Sequence, residues 1–94
     1  MSKREEILTE AIRLTHGERN RDYGTPLENH QRIADIWTVV LGHPVTPAQV
    51  ALCMVGVKLA RLAQTPTHED SFIDGAAYMA IAGELSLLKT NDKH

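Results

Sequence analysis

Asp70, Asp74 and Tyr78 recur at i, i+4 and i+8, the spacing that aligns residues along one face of a helix. Two carboxylates a turn apart suit a hard cation such as Mg²⁺ or Mn²⁺, which takes oxygen ligands. The same residues also have structural uses. Asp70 can cap the helix, Asp74 can complement its positive end, and Tyr78 can pack. For Asp70 the structural use is the better reading. For Asp74 it is not: Phe72, Ile73, Ala76 and Ala77 give it an apolar neighbourhood. An acid held there needs a partner, a cation or a hydrogen-bonding ligand.

Lys58 and Arg61 interrupt an otherwise apolar stretch from Val50 to Ala63. A solvated edge with snorkelling stems is the default for a single basic residue. Lys58 also has a ready partner in Asp74, an interhelical ion pair that needs no ligand. Arg19 and Arg21 lie in the stretch "RNRDYGTPLE", where they can reach phosphate or simply keep a loop soluble. Tyr23 and Trp37 can stack on a base, although a lone Trp at helical spacing is more often core. His16, His30, His43, His68 and His94 show no metal-ligand spacing. There is no glycine-rich phosphate loop and no nucleophile with an evident base.

The elements that must position these groups read as four helices. The first runs from Ser2 to about Thr15, with Ile7, Leu8, Ala11, Ile12 and Leu14 at helical spacing. Ser2 caps it with Glu5 three residues on, and Gly17 ends it. Thr25-Pro26-Leu27-Glu28 then has the form of an N-cap, a proline at the first helical position and a capping-box acid. The helix it opens extends to about Leu41, burying Leu27, Ile33, Ala34, Ile36, Trp37, Val40 and Leu41, and Gly42 closes it. Thr46-Pro47-Ala48-Gln49 repeats the device for a helix to about Gln64, with Val50, Ala51, Cys53, Met54, Val57, Ala60 and Leu62 inward. Gly56 within it costs about 1 kcal/mol relative to alanine, which a close packing contact would offset. Thr67, with Asp70 at the third position, caps a last helix to about Leu88. No segment alternates with period two, so the expected fold is all-α, a compact four-helix domain over residues 1–94 with 1–2 and 90–94 frayed.

Bulk properties narrow the function. A chain of 94 residues makes one domain. The net charge of −2 argues against general nucleic-acid binding, which needs a basic surplus. Cys53 is the single cysteine, which excludes an internal disulfide and a Cys-based zinc site. No secretory signal and no apolar run of membrane-spanning length is read, so no membrane partner is expected and the location is cytoplasmic. The stretch Gly75-Ala76-Ala77-Tyr78-Met79-Ala80-Ile81-Ala82-Gly83 is apolar on nearly every side, which predicts a homo-oligomer.

With these motifs in order, the chain resembles a group of small phage and prophage domains of unassigned function. The pattern runs from "HGERNRDYGTPLENHQRIADIW" through "TPAQVALCMVGVKLARLA" to "EDSFIDGAAYMAIAGEL", covering His16 to about Leu85. More remotely it is similar to the all-α nucleotide pyrophosphohydrolases (MazG-like and dimeric dUTPase-like proteins) and to nucleotide-modification-associated domains. Those carry a "DYGT" hinge, a K-x-x-R helix and an acid-x-x-x-D-x-x-x-Y helix, matched here by Asp22 to Thr25, by Lys58 and Arg61, and by Asp70, Asp74 and Tyr78. The resemblance implies a nucleotide site formed by Arg19, Arg21, Tyr23, Lys58, Arg61 and Tyr78, with Asp70 and Asp74 holding Mg²⁺ on the phosphates. The pyrophosphohydrolases complete their metal site with an E-x-x-E pair on an early helix. This chain lacks it after the hinge, where only Glu28 and Asp35 are available.

Three readings follow. The first is a phage-type nucleotide-binding protein with a catalytically reduced site, which senses, delivers or sequesters a nucleotide, including a host defence signal. The second is an Mg²⁺-dependent nucleoside triphosphate pyrophosphohydrolase. The third is a helical protein-interaction module. The missing early acids favour the first over the second, and Lys58 and Arg61 on an apolar helix favour both over the third. No catalytic residue is assigned.

Overall fold

The protein is all-α in a computed structural model that describes residues 1–91. Five helices follow in order: α1 Lys3–Leu14, α2 Glu18–Tyr23, α3 Pro26–Leu41, α4 Pro47–Gln64 and α5 Glu69–Asn91. No strand occurs among the described residues.

The helix starts follow from the capping chemistry. Ser2, Thr25 and Thr46 each sit in extended backbone and accept a hydrogen bond from the main-chain N–H three residues on. Glu5, Glu28 and Gln49 return the bond to the cap's own N–H, closing three reciprocal capping boxes. Pro26 and Pro47 open their helices with φ already helical. Gly42 stops α3 in the left-handed region at φ 67°, where a side chain would be strained.

The structure departs from the expected four helices at the hinge. Residues Glu18–Tyr23 wind into the six-residue α2 instead of an irregular link. Gly17 and Gly24 bracket it at φ 71° and 85°, so both turns use backbone that only glycine takes freely. No apolar periodicity marks a helix this short and polar. The start of α5 differs too: it begins at Glu69, so His68 rather than Thr67 flanks it. At its other end the backbone stays helical to Asn91, past Leu88, and the rest of the expected frayed tail, 92–94, lies outside the described residues. Ser2, expected to fray, is tied down by its capping box.

The interior is organised around α5. One cluster joins Ile81, Ala82 and Leu85 to Ala51 of α4, with Ala48 against it. The other joins Ile73 and Ala77 to Ala11 of α1, with Ile7 and Leu14 packed alongside. Helix α5 packs most extensively along α4 and then along α1, α3 leans on α4, and α2 rests on α3. By length and composition Glu69–Leu88 would suffice to cross a membrane, against the expectation that no apolar run is long enough. In this fold it is the shared wall of both clusters.

Much of the expected inward face is open. Leu8 and Ile12 of α1, Leu27, Ile36, Val40 and Leu41 of α3, and Cys53, Val57 and Ala60 of α4 are exposed. The helices pack as α1 on α5, α5 on α4 and α4 on α3, so the buried stripe of an outer helix is narrower than its apolar face. Gly56 meets no close contact: a Cβ built there finds nothing within 4 Å. The expected compensating contact is therefore absent among the described residues.

Candidate functional site

Three of the chemistry-bearing side chains, Lys58, Asp74 and Tyr78, come together between α4 and α5. Lys58 Nζ lies 3.2 Å from Asp74 Oδ2, the interhelical pair that the sequence allows without a ligand. The lysine side chain is 24 % exposed and the aspartate 32 %, so the pair is half-sunk at the edge of the bundle. It opens on a cavity of about 250 Å³ whose lining also includes Leu14, Thr15, Ala77, Tyr78 and Ile81. Thr15 ends α1, and its hydroxyl donates to the Ile12 carbonyl at 2.7 Å. The cavity thus has a cationic and acidic corner, a hydroxyl, an aromatic edge and an aliphatic floor.

The other expected residues fall around this cavity rather than within it. Arg21 and Tyr23 are exposed on α2. Tyr23 and Asp22 line a neighbouring cavity of about 630 Å³ that shares Leu14 with the first. The side chain of Arg19 lies outside the described residues. Asp70 is exposed at the start of α5, a turn from Asp74, and is not part of the Lys58 cavity. Arg61 turns toward the α4–α5 loop, where Nη2 stands 3.5 Å from His68 Nε2. Since a guanidinium only donates, that nitrogen accepts, and His68 Nδ1–H donates to buried Ser71 Oγ at 2.7 Å. Arg61 therefore braces the loop, and Ser71 receives a proton donor rather than a base. Trp37 is half-buried, as its core reading expects.

One residue near the site, His30, shows no metal-ligand spacing in the sequence and yet is buried. His30 of α3 is 3 % exposed. Its Nδ1 lies 2.8 Å from the Pro26 carbonyl, and its ring meets Tyr78 edge-on with centroids 6.0 Å apart. Among the described residues its Nε2 has no hydrogen-bond partner. The signal was present in the spacing: His30, Ala34 and Trp37 share the i, i+4, i+7 stripe of α3. A search for metal spacing does not detect a single buried imidazole.

The carboxylates of α3 are committed elsewhere. The Thr25 N–H donates to Glu28 Oε1 at 2.9 Å, and this bond, with that from the Thr25 hydroxyl, holds the Glu28 carboxyl below its usual pKa. Asp35 accepts from Gln31 Nε2 at 3.0 Å. Among the described residues no three His, Cys, Asp or Glu side chains stand close enough to share an ion.

Comparison with known proteins bears on this arrangement. Residues 6–86 match a family described as a domain of unknown function, DUF6378. The chain belongs to this family. The Gene 55 protein of Mycobacterium phage D29 is 46 % identical over 74 residues, which cover 79 % of this chain and 49 % of that protein. The Gene 55 protein of Mycobacterium phage L5 is 38 % identical over 82 residues, 86 % of this chain and 53 % of that protein. The chain thus spans about half the length of the curated relatives it matches. No solved structure matches it. Membership of the DUF6378 family agrees with the expected small phage domain of unassigned function. Neither the family description nor the relatives' names carry an activity.

Proposed function

We propose that this DUF6378 domain binds a nucleotide by its phosphates at the Lys58 cavity and releases it chemically unchanged. The observation that carries the reading is the Lys58–Asp74 pair opening on a cavity with Thr15 and Tyr78. A lysine with three donors, held extended by one carboxylate, can turn the rest of its hydrogen-bonding capacity to an arriving phosphate. A cavity of about 250 Å³ lies just below the usual size of small-molecule pockets, so it suits the phosphate end. The nucleoside would extend along the adjoining surface toward Tyr23, with Arg21 at its margin and Arg19 on the same short helix. In this reading the chain shares the MazG-like arrangement of helices, its role is cytoplasmic, and sequestration of a signalling nucleotide in phage anti-defence is one form of it.

The residues present do not form an Mg²⁺ site by themselves. Asp74 faces Lys58, Asp70 is a turn away and exposed, and Glu28 and Asp35 are engaged within α3. Magnesium would have to arrive on the nucleotide, with phosphate oxygens supplying the other ligands. This favours binding over pyrophosphate release, which needs a metal-activated water. A thermal-shift screen of nucleotides with and without Mg²⁺ tests the reading. Stabilisation by nucleotides in both conditions supports it, and no shift with any nucleotide sinks it.

A second copy of the chain completes the proposal. Val39 and Val40 are 82 % and 75 % exposed, and Ile36, Leu41, Val57, Leu59 and Met79 are also open. Faces this apolar on a small domain call for a partner, and a homo-oligomer would also deepen the shallow cavities.

A further inference from the structure

Among the described residues, His30 Nε2 is buried without a hydrogen-bond partner. A buried polar group without a partner is costly, and the great majority of such groups are satisfied. The Pro26 carbonyl only accepts, so His30 Nδ1 must carry the proton in that 2.8 Å bond. In the neutral ring Nε2 is then a lone pair, fixed in direction by Pro26 on one side and Tyr78 on the other. What it requires is a donor.

A narrow cleft of about 10 Å³ lies beside the ring, lined by Thr15, Asn20, Tyr23, Asn29 and Ile81 as well as His30. That is room for one water-sized group. The group should donate to the imidazole and accept from amide N–H donors, which Asn20 and Asn29 carry. A hydroxyl does both, whereas an exocyclic amino group on a base only donates. The cleft shares Thr15 and Ile81 with the Lys58 cavity, and Tyr78 touches both the cavity and the ring. The cavity and the cleft thus adjoin along Thr15 and Ile81, with the Lys58 anchor lining one and the ring of His30 lining the other.

We propose that His30 reads a sugar hydroxyl of the bound nucleotide, its Nε2 accepting the O–H hydrogen bond, with a water taking the same position in the free protein. This rests on the nucleotide reading above and adds that the cleft holds the sugar end of the ligand. His30 is a positioning and specificity residue, with no part in bond cleavage.

The test is equilibrium binding of one nucleotide in its ribo, 2′-deoxy and 3′-deoxy forms to the wild type, His30→Asn and His30→Gln. Asparagine keeps an amide near Nδ1 for the Pro26 carbonyl but has nothing at the distal position, while glutamine reaches that position with an acceptor. The wild type should lose about fivefold or more in affinity for at least one deoxy form. His30→Asn should erase that preference and His30→Gln should restore part of it. Equal binding of all three forms by the wild type, or an intact preference in folded His30→Asn, overturns the His30 assignment while leaving the nucleotide site standing. No binding of any form overturns both. If His30→Asn does not fold, long-range ¹H–¹⁵N spectra of the wild type decide. The His30 Nε2 resonance should move on adding the ribo form and stay put with the discriminated deoxy form, and an unmoved resonance refutes the contact.

Discussion

Replacing Asp74 by asparagine keeps the shape of the side chain and removes the charge that faces Lys58. The pair spans 3.2 Å with side chains 24 % and 32 % exposed. Exposed ion pairs contribute about 0–1 kcal/mol, and removing one partner of a buried pair costs about 3–5 kcal/mol. A pair on the margin, whose replacement still offers Lys58 an amide oxygen, falls between, at about 1–2 kcal/mol. In a domain of this length each kcal/mol moves Tm by about 4–8 °C, so Asp74→Asn should lower it by roughly 5–15 °C. Lys58→Met removes the same interaction from the other helix while keeping the aliphatic stem. Urea unfolding followed by circular dichroism on both single variants and the double variant gives the coupling, expected at about 1 kcal/mol. Strictly additive single effects would refute the pair as a link between α4 and α5. The two variants should part company with ligand. Lys58→Met loses a charge-assisted phosphate contact of roughly 1.5–3 kcal/mol, about tenfold to over a hundredfold in affinity. Asp74→Asn keeps the cation but loosens the carboxylate that holds it extended, so it should weaken affinity less than Lys58→Met does.

Three further outcomes follow from the fold. Gly56→Ala should stabilise the isolated chain by up to about 1 kcal/mol, because the helix gains propensity and the new Cβ meets nothing; a loss of stability in urea titration would mean that a second chain packs there. Acid should weaken the fold through its caps: the N–H groups of Ser2 and Thr25 hold the Glu5 and Glu28 carboxyls below their ordinary values. Folded values lower than unfolded ones give stability that is present above the ordinary carboxylate range and lost as pH falls through the lowered values. Urea midpoints between neutral and acidic pH should therefore fall less in the Glu5→Gln/Glu28→Gln variant than in the wild type, and identical slopes would contradict this. Finally, light scattering should show an assembly larger than the 10.4 kDa chain at high micromolar concentration, and a monomer there removes the homo-oligomer.

The parts of the fold legible in the sequence were those written in short-range chemistry. Thr25 and Thr46, each followed by proline and a capping acid or amide, marked two helix starts to the residue, and Gly42 marked a stop, because caps are satisfied within a turn of the chain. Helix α2 was not legible, since six polar residues between two glycines carry no periodic signal. Burial was only partly legible: helical spacing says which residues could face inward, but Ile36, Val40 and Val57 stay open because no described neighbour reaches them. At the site, Lys58 with Asp74 followed from an acid and a base that each needed a partner. That Arg61 lies beside His68 was not legible, because nothing in the spacing shows how the α4–α5 loop folds back. His30 was overlooked because its meaning lies in an unpaired buried atom, a property of the packed structure alone.

Binding without turnover is tested most directly by dialysing the wild type and Lys58→Met against a ribonucleotide panel with Mg²⁺. The protein is then denatured and the released nucleotide is resolved on an ion-exchange column. The wild type should retain one or more nucleotides above the free concentration and return them intact, and Lys58→Met should retain far less. Equal retention by both proteins, or recovery of a monophosphate and pyrophosphate from the wild type, would contradict a phosphate site at Lys58 that binds and does not cleave.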